Sequence, residues 1–250
     1  MKLVQSKPLS SEVLTCEKHG AYEAKFIPKI IGDGFMVFDD CPTCNEEESN
    51  ASLEAEKLES MQKSRIRAGL GKRHMQCSFG SFIADTQGKR SALEKTKNYV
   101  DEVISGKGAC LIMAGKVGTG KTHLAAAMIN ECINKNIGCH IIKLPELIRN
   151  LKDTWNKKSQ FSEDQLISKH SKTHLLIIDE IGIQFGSDTE KMLLSEIIDN
   201  RYQDLLPTVL ISNLDLNGIK DCIGERSFDR LREDGGKVVA FDWESERANA

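Results

Sequence analysis

The spacing of hydrophobic positions changes along this chain. From about residue 76 onward, short apolar runs alternate with longer stretches of helical periodicity. The pattern predicts strands over residues 110–114, 139–143, 175–179, 208–212 and 238–241. Several of these runs are continuous rather than alternating, as suits strands buried on both faces. The segments between them, such as 123–134 and 189–204, are long enough for crossover helices. Strands and helices in this alternation predict an α/β fold, a five-stranded parallel sheet flanked by helices. Residues 51–75 read differently, as helix formers that turn from acidic to basic, with Leu53, Leu58 and Met61 as a loose apolar stripe. Such a helix needs a partner to dock against, and Gly69-Leu70-Gly71 ends it. Residues 1–50 offer one strand-like run, Gly34-Phe35-Met36-Val37-Phe38. The domain reading is therefore a small module over 1–50, a helical linker over 51–75 and a larger domain over 76–250.

Composition changes this picture little. The 250 residues are 40% hydrophobic and 28% charged, within the globular range. The formal net charge of -3 exerts no global pull on nucleic acid, so any DNA contact needs a local basic patch. No apolar run reaches the ~18 residues of a membrane span, and the start lacks an apolar secretory core. The expectation is a cytoplasmic protein without membrane contact. Of eight cysteines, Cys77, Cys110, Cys132, Cys139 and Cys222 fall mostly in apolar segments and read as small hydrophobes. The other three lie beside a histidine near the N-terminus.

The chemistry concentrates at strand ends. Gly115-Lys116-Val117-Gly118-Thr119-Gly120-Lys121-Thr122 fits G-x-x-x-x-G-K-[ST], directly after an apolar strand and before a helix. The glycines let backbone N–H groups approach phosphate oxygens, Lys121 neutralises the β- and γ-phosphates, and Thr122 holds magnesium. His123 follows as a further nucleotide contact. His174-Leu175-Leu176-Ile177-Ile178-Asp179-Glu180 is an apolar strand ending in two carboxylates, Asp179 for magnesium and Glu180 to polarise the attacking water. Thr208-Val209-Leu210-Ile211-Ser212-Asn213 ends in an amide. If its strand lies between the other two, Asn213 reaches the γ-phosphate side; a simple turn residue is the alternative. Arg226 and Arg230, four apart, share one face of a helix over Gly224–Arg232. They could serve a neighbouring subunit's γ-phosphate, or form a solvated face paired with Glu225 and Asp229; the residues alone leave both open.

Cys16-Glu17-Lys18-His19 and Cys41-Pro42-Thr43-Cys44 have the C-x-x-H and C-x-x-C spacing of a structural zinc site. The gap between them allows a short hairpin, as in zinc ribbons, and the metal would stabilise a segment too small for its own core. Lys63, Arg65, Arg67, Lys72, Arg73 and His74 form a basic stretch that could touch a DNA backbone or stay a solvated linker.

Taken together, the phosphate loop, LLIIDEIG, Asp199-Asn200-Arg201-Tyr202, TVLISN and GERSFDRLRE resemble DnaC-type helicase loaders and IstB-type transposition ATPases over roughly residues 76–245. The resemblance implies the AAA+ P-loop fold, ATP bound between subunits of a ring or spiral, and little or no C-terminal lid. It implies Asn213 as sensor 1, Arg230 as the arginine finger with Arg226 a second candidate, and Arg247 as the sensor 2 arginine. It further implies that the N-terminal region docks on the hexameric replicative helicase, which is delivered onto single-stranded DNA. An IstB-like transposition helper acting on duplex DNA is the alternative.

Overall fold

The computed structural model describes residues 11–25, 27–28, 36–37, 40–156, 158–182 and 187–246. Arg247 and the ends of the Gly34–Phe38 run lie outside the described residues. The chain divides into two compact units between Ser60 and Met61.

In the first unit, strands β1 (Ser11–Cys16) and β2 (Gly20–Lys25) pair as an antiparallel hairpin, and the short β3 (Ile27–Pro28) and β4 (Met36–Val37) form a second ladder. Helix α1 (Pro42–Arg67) then begins, nine residues ahead of the expected linker helix. Leu53 and Leu58 are exposed on it.

The second unit follows the alternation in the sequence. Helix α2 (Gln87–Ile104), capped by Thr86, precedes β5 (Leu111–Gly115). After it come α3 (Lys121–Asn134), β6 (Cys139–Lys143), α4 (Leu144–Asp153) and α5 (Glu163–Lys172). The chain continues through β7 (Leu175–Ile181), α6 (Asp188–Gln203), β8 (Thr208–Ser212), α7 (Leu216–Ile223), α8 (Glu225–Arg232) and β9 (Lys237–Phe241). All five strands β5–β9 are parallel, in the order β6-β7-β8-β5-β9. Because β8 inserts between β5 and β7, the C-terminal ends of the three strands that carry the expected chemistry lie side by side. Open α/β sheets bind ligands at that edge.

Successive strand residues alternate between two cores, as the period of two requires. Leu111, Met113, Leu175, Ile177, Val209 and Ile211 pack on one face with α2 and α3. Ile112, Ala114, Leu176, Ile178 and Leu210 pack on the other with α4 to α8. Cys132 and Cys222 are buried in these layers and Cys77, Cys110 and Cys139 half-buried, in keeping with their reading as small hydrophobes.

Arg201 and His170 are among the polar groups buried in this unit. Arg201 on α6 has no exposure, and among the described residues no carboxylate meets its guanidinium. It donates instead to the carbonyls of His170, Ser171, Thr173, His174 and Pro207 and to the Thr208 hydroxyl. It thereby ties the end of α5 to the turns entering β7 and β8. Burial pulls its pKa down to about 10.

His170 is 2% exposed, its ring 5.3 Å from that of His140. Burial, with His140, Lys169 and Arg201 adding repulsion, lowers its pKa from 6.5 to about 4. Above pH 6.5 the imidazole is neutral folded or unfolded and contributes nothing. As pH falls from 6.5 toward 4, only the unfolded chain takes up the proton, and stability is lost, by about 2 kcal/mol at pH 5. Urea denaturation at pH 7 and pH 5 should show a smaller loss for His170→Gln than for the wild type. Equal losses would remove His170 as the source.

Candidate functional site

The phosphate loop leaves β5 at Gly115 and enters α3 at Lys121. Gly115, Gly118 and Gly120 all have positive φ, at 141°, 78° and 91°. A Cβ on Gly115 would sit 2.1 Å from the Phe241 carbonyl oxygen, and one on Gly120 would sit 2.6 Å from the Phe82 ring. Neither position admits a side chain. Lys121 is 6% exposed and donates to the carbonyls of Gly115 (2.7 Å) and Lys116 (2.5 Å). The Thr119 hydroxyl also donates to the Lys116 carbonyl at 2.8 Å. With these carbonyls held by donors, the loop can offer N–H groups to an anion, as a phosphate nest does. Val117 at the tip is 53% exposed.

Thr122, in the first turn of α3, donates from its hydroxyl to Asp179 Oδ2 at 2.9 Å. Asp179 is 7% exposed, and burial raises its carboxyl pKa although the Glu180 N–H donates to it at 2.7 Å. A desolvated carboxylate beside a hydroxyl, with no cationic side chain bonded to it among the described residues, fits a hard divalent cation bound through oxygen.

Glu180 departs from the regular strand. The β7–β8 register shifts between Ile178 and Ile181, and Glu180 itself has φ 63°, a left-handed conformation costly for a residue with a Cβ. The bulge breaks the alternation by which adjacent carboxylates would point to opposite faces. The Glu180 carboxylate accepts from Lys143 Nζ at 2.6 Å, across from the neighbouring β6. Asn213 is exposed just past the end of β8, between the strands of the loop and the two acids.

His123 faces the segment before α2. Its Nε2 lies 3.0 Å from Ser81 Oγ and 3.2 Å from the Ser78 carbonyl, and its ring lies 5.9 Å from that of Phe82. Phe82 against Gly120 and Lys143 against Glu180 were not singled out in the sequence. Both come from elements distant in the chain, and neither carries a motif of its own.

The two arginines of α8 meet a partner other than the acids beside them. Asp199 on α6 bridges both, one oxygen contacting Arg230 and the other 3.7 Å from Arg226 Nη2. Glu225 pairs with Lys220 instead. The Arg230 guanidinium lies 5.4 Å from the Tyr202 ring centroid. Arg230 also lines a cleft of about 240 Å³ with Gly106, Gly108 and Cys110, which precede β5. The phosphate loop follows the opposite end of the same strand.

In the first unit, Cys16, His19, Cys41 and Cys44 place their ligand atoms within 4.8 Å of one another. Cys16 ends β1 and His19 lies in the hairpin turn that follows, Cys41 immediately precedes α1, and Cys44 lies in its first turn. The Cys16–Cys44 sulfurs are 3.6 Å apart, and His19 Nδ1 lies 3.9, 3.7 and 3.3 Å from the sulfurs of Cys16, Cys41 and Cys44. A tetrahedral zinc with its usual bond lengths spaces two sulfurs by about 3.8 Å and a sulfur and a nitrogen by about 3.6 Å. His19 Nε2 lies 3.1 Å from Glu47 Oε1, an outer carboxylate that would orient a ligating imidazole.

The IstB-like ATP binding protein family matches residues 102–231. The chain is 35% identical over 228 residues to the replicative helicase loader DnaC of Escherichia coli (strain K12), covering 90% of this chain and 92% of that one. Among solved structures it is similar to the DnaC helicase loader, with a TM-score of 0.60 at 22% identity over 68% of this chain and 99% of that one. It is likewise similar to DnaI, with a TM-score of 0.59 at 24% identity over 71% and 94%. With the sheet order and the phosphate loop at its edge, these likenesses establish that the chain belongs to the IstB/DnaC family of AAA+ ATP-binding proteins.

Proposed function

We propose that this protein is a cytoplasmic ATP-driven helicase loader, which binds a hexameric replicative helicase and delivers it onto single-stranded DNA. The observation that carries this reading is the extent of the likeness to a replicative helicase loader. A match over 90% of the chain is longer than the ATP module and reaches into the N-terminal region. The match to the IstB-like family model covers residues 102–231, within the ATP module.

The reaction is in-line attack of water on the γ-phosphate of ATP. Residues 115–122 bind the triphosphate, with Gly115, Val117, Gly118, Thr119, Gly120, Lys121, Thr122 and His123 around it. Lys121 exchanges its two carbonyl partners for phosphate oxygens. Thr122 and Asp179 would hold magnesium, which when bound neutralises charge on the β- and γ-phosphates. Glu180 takes the proton of the attacking water and Asn213 orients it. The remaining positive charge comes in trans. Arg230 lies near the N-terminal end of β5, while its own phosphate loop follows the C-terminal end. A five-residue strand is about 17 Å long, so Arg230, or Arg226 beside it, serves a neighbouring subunit in a ring or spiral. By the family likeness, Arg247 is the sensor 2 arginine.

Zinc on Cys16, His19, Cys41 and Cys44 would fold the helicase-binding module, whose helix exposes Leu53 and Leu58 for a partner. For DNA, Trp155 and Phe161, 56% exposed each in the loop after α4, offer faces on which bases can stack.

Native mass spectrometry of the protein with its host's helicase, with and without ATP, tests this reading. The expected species is a helicase hexamer carrying several copies of the chain, each with one zinc ion. It should be lost on deleting residues 1–60, and Trp155→Ala should retain less single-stranded oligonucleotide. No helicase complex under any nucleotide condition, with binding to duplex DNA instead, would turn the assignment to the transposition helper.

A further inference from the structure

The stretch after β9 turns back onto the phosphate loop. Lys116 N–H donates to the Phe241 carbonyl at 3.0 Å, the last bond at this end of the β5–β9 ladder. The Trp243 indole N–H donates to the Thr119 carbonyl at 3.1 Å, and the Glu246 backbone N–H donates to the Gly118 carbonyl at 2.9 Å. Glu244 pairs with Lys116 at 2.7 Å. The segment is anchored to α2 as well. Lys89, 4% exposed, holds Asp85 at 2.7 Å and the Glu246 carboxylate, and the Trp243 ring abuts Gly88 and lies 5.0 Å from Phe241.

These bonds divide the carbonyls of the loop between two kinds of donor. Those of Gly115 and Lys116 are taken by Lys121, which has to leave them when it meets a phosphate. Those of Gly118 and Thr119 are taken by groups that have no part in binding phosphate. The second pair, together with the Thr119 hydroxyl bond to the Lys116 carbonyl, can therefore hold the loop's shape while Lys121 changes partners.

We propose that residues 242–246 are a strap that holds the phosphate loop open for nucleotide, with Trp243 as its positioning residue. This rests on the ATP site described above and deepens it. The Trp243 hydrogen bond orients the Thr119–Gly120 peptide, next to the N–H groups that receive the phosphates, so that the free loop already has its bound shape. Losing the donor while keeping a ring in place lets that peptide rotate, and the loop must then be reordered at each binding event.

The test uses the full-length protein and a fluorescent ATP analogue. Trp243→Phe should weaken analogue binding about tenfold, the consequence of leaving one enclosed carbonyl unpaired, while the melting temperature without nucleotide stays within a few degrees of wild type. In the wild type, unlabelled Mg·ATP should change tryptophan emission, and this change should disappear in Trp243→Phe although Trp155 remains. Wild-type affinity in Trp243→Phe would overturn the strap, as would wild-type emission unmoved by saturating ATP. The emission measurement needs no variant, so it decides even if Trp243→Phe fails to fold. Failure of the wild type itself to bind the analogue would instead overturn the ATP-site reading.

Discussion

Glu180→Gln should bind ATP as tightly as the wild type and hydrolyse it about 10²–10⁴-fold more slowly. The amide keeps the size and the backbone of the carboxylate but cannot accept a proton from water. In the resting subunit Glu180 is held by Lys143 at 2.6 Å. That pair is no obstacle to catalysis, because Lys143 and Glu180 keep 60% and 31% of their side-chain exposure. An exposed ion pair contributes about 0–1 kcal/mol, so the carboxylate can leave it at little cost when a nucleotide and its water arrive. Phosphate release should be followed with helicase and single-stranded DNA present, alongside analogue binding. Turnover within threefold of wild type would remove Glu180 from the role of base. The same variant decides whether hydrolysis matters to the biological role. Loading that survives in Glu180→Gln would make the protein a nucleotide-locked clamp.

The second large effect falls on stability. Arg201→Met should lower the melting temperature by roughly 8–16 °C, corresponding to about 4 kcal/mol for a chain of this size. One fully buried guanidinium satisfies five carbonyls and a hydroxyl from the end of α5 and the turns entering β7 and β8. Methionine fills much of the volume but leaves those oxygens desolvated and unpaired, the costly side of the hydrogen-bond balance. Arg201→Lys should recover little, because an ammonium on a single stem cannot reproduce the planar fork. Thermal unfolding of both variants measures this, and a shift below about 3 °C for Arg201→Met would show that the turns hold without it. Arg201 sits in the Asp199-Asn200-Arg201-Tyr202 stretch that helped mark the family. Within the fold its work is structural, while its neighbour Asp199 holds the arginines of α8.

Much of this protein could be read along the chain because its chemistry is local. Strand and helix periods decide which segments pair and which cover them, and all five expected strands occur within two residues of their expected bounds. A phosphate loop is likewise a contiguous string, since its backbone must turn inward within eight residues. C-x-x-H and C-x-x-C are also local, because each pair of ligands sits within one turn of chain, although the two pairs lie more than twenty residues apart. Tertiary structure decided the contacts made by isolated residues from distant elements. Nothing in sequence spacing connects Lys143 to Glu180, Phe82 to Gly120, Trp243 to Thr119 or Asp199 to the arginines of α8. The same holds for the bulge at Glu180, where a parallel strand must leave its ladder to bring a second carboxylate to the sheet edge. Residue type and spacing encode what neighbours along the chain can do together. Which distant side chains share a site depends on the strand order, and that order exists only once the sheet has formed.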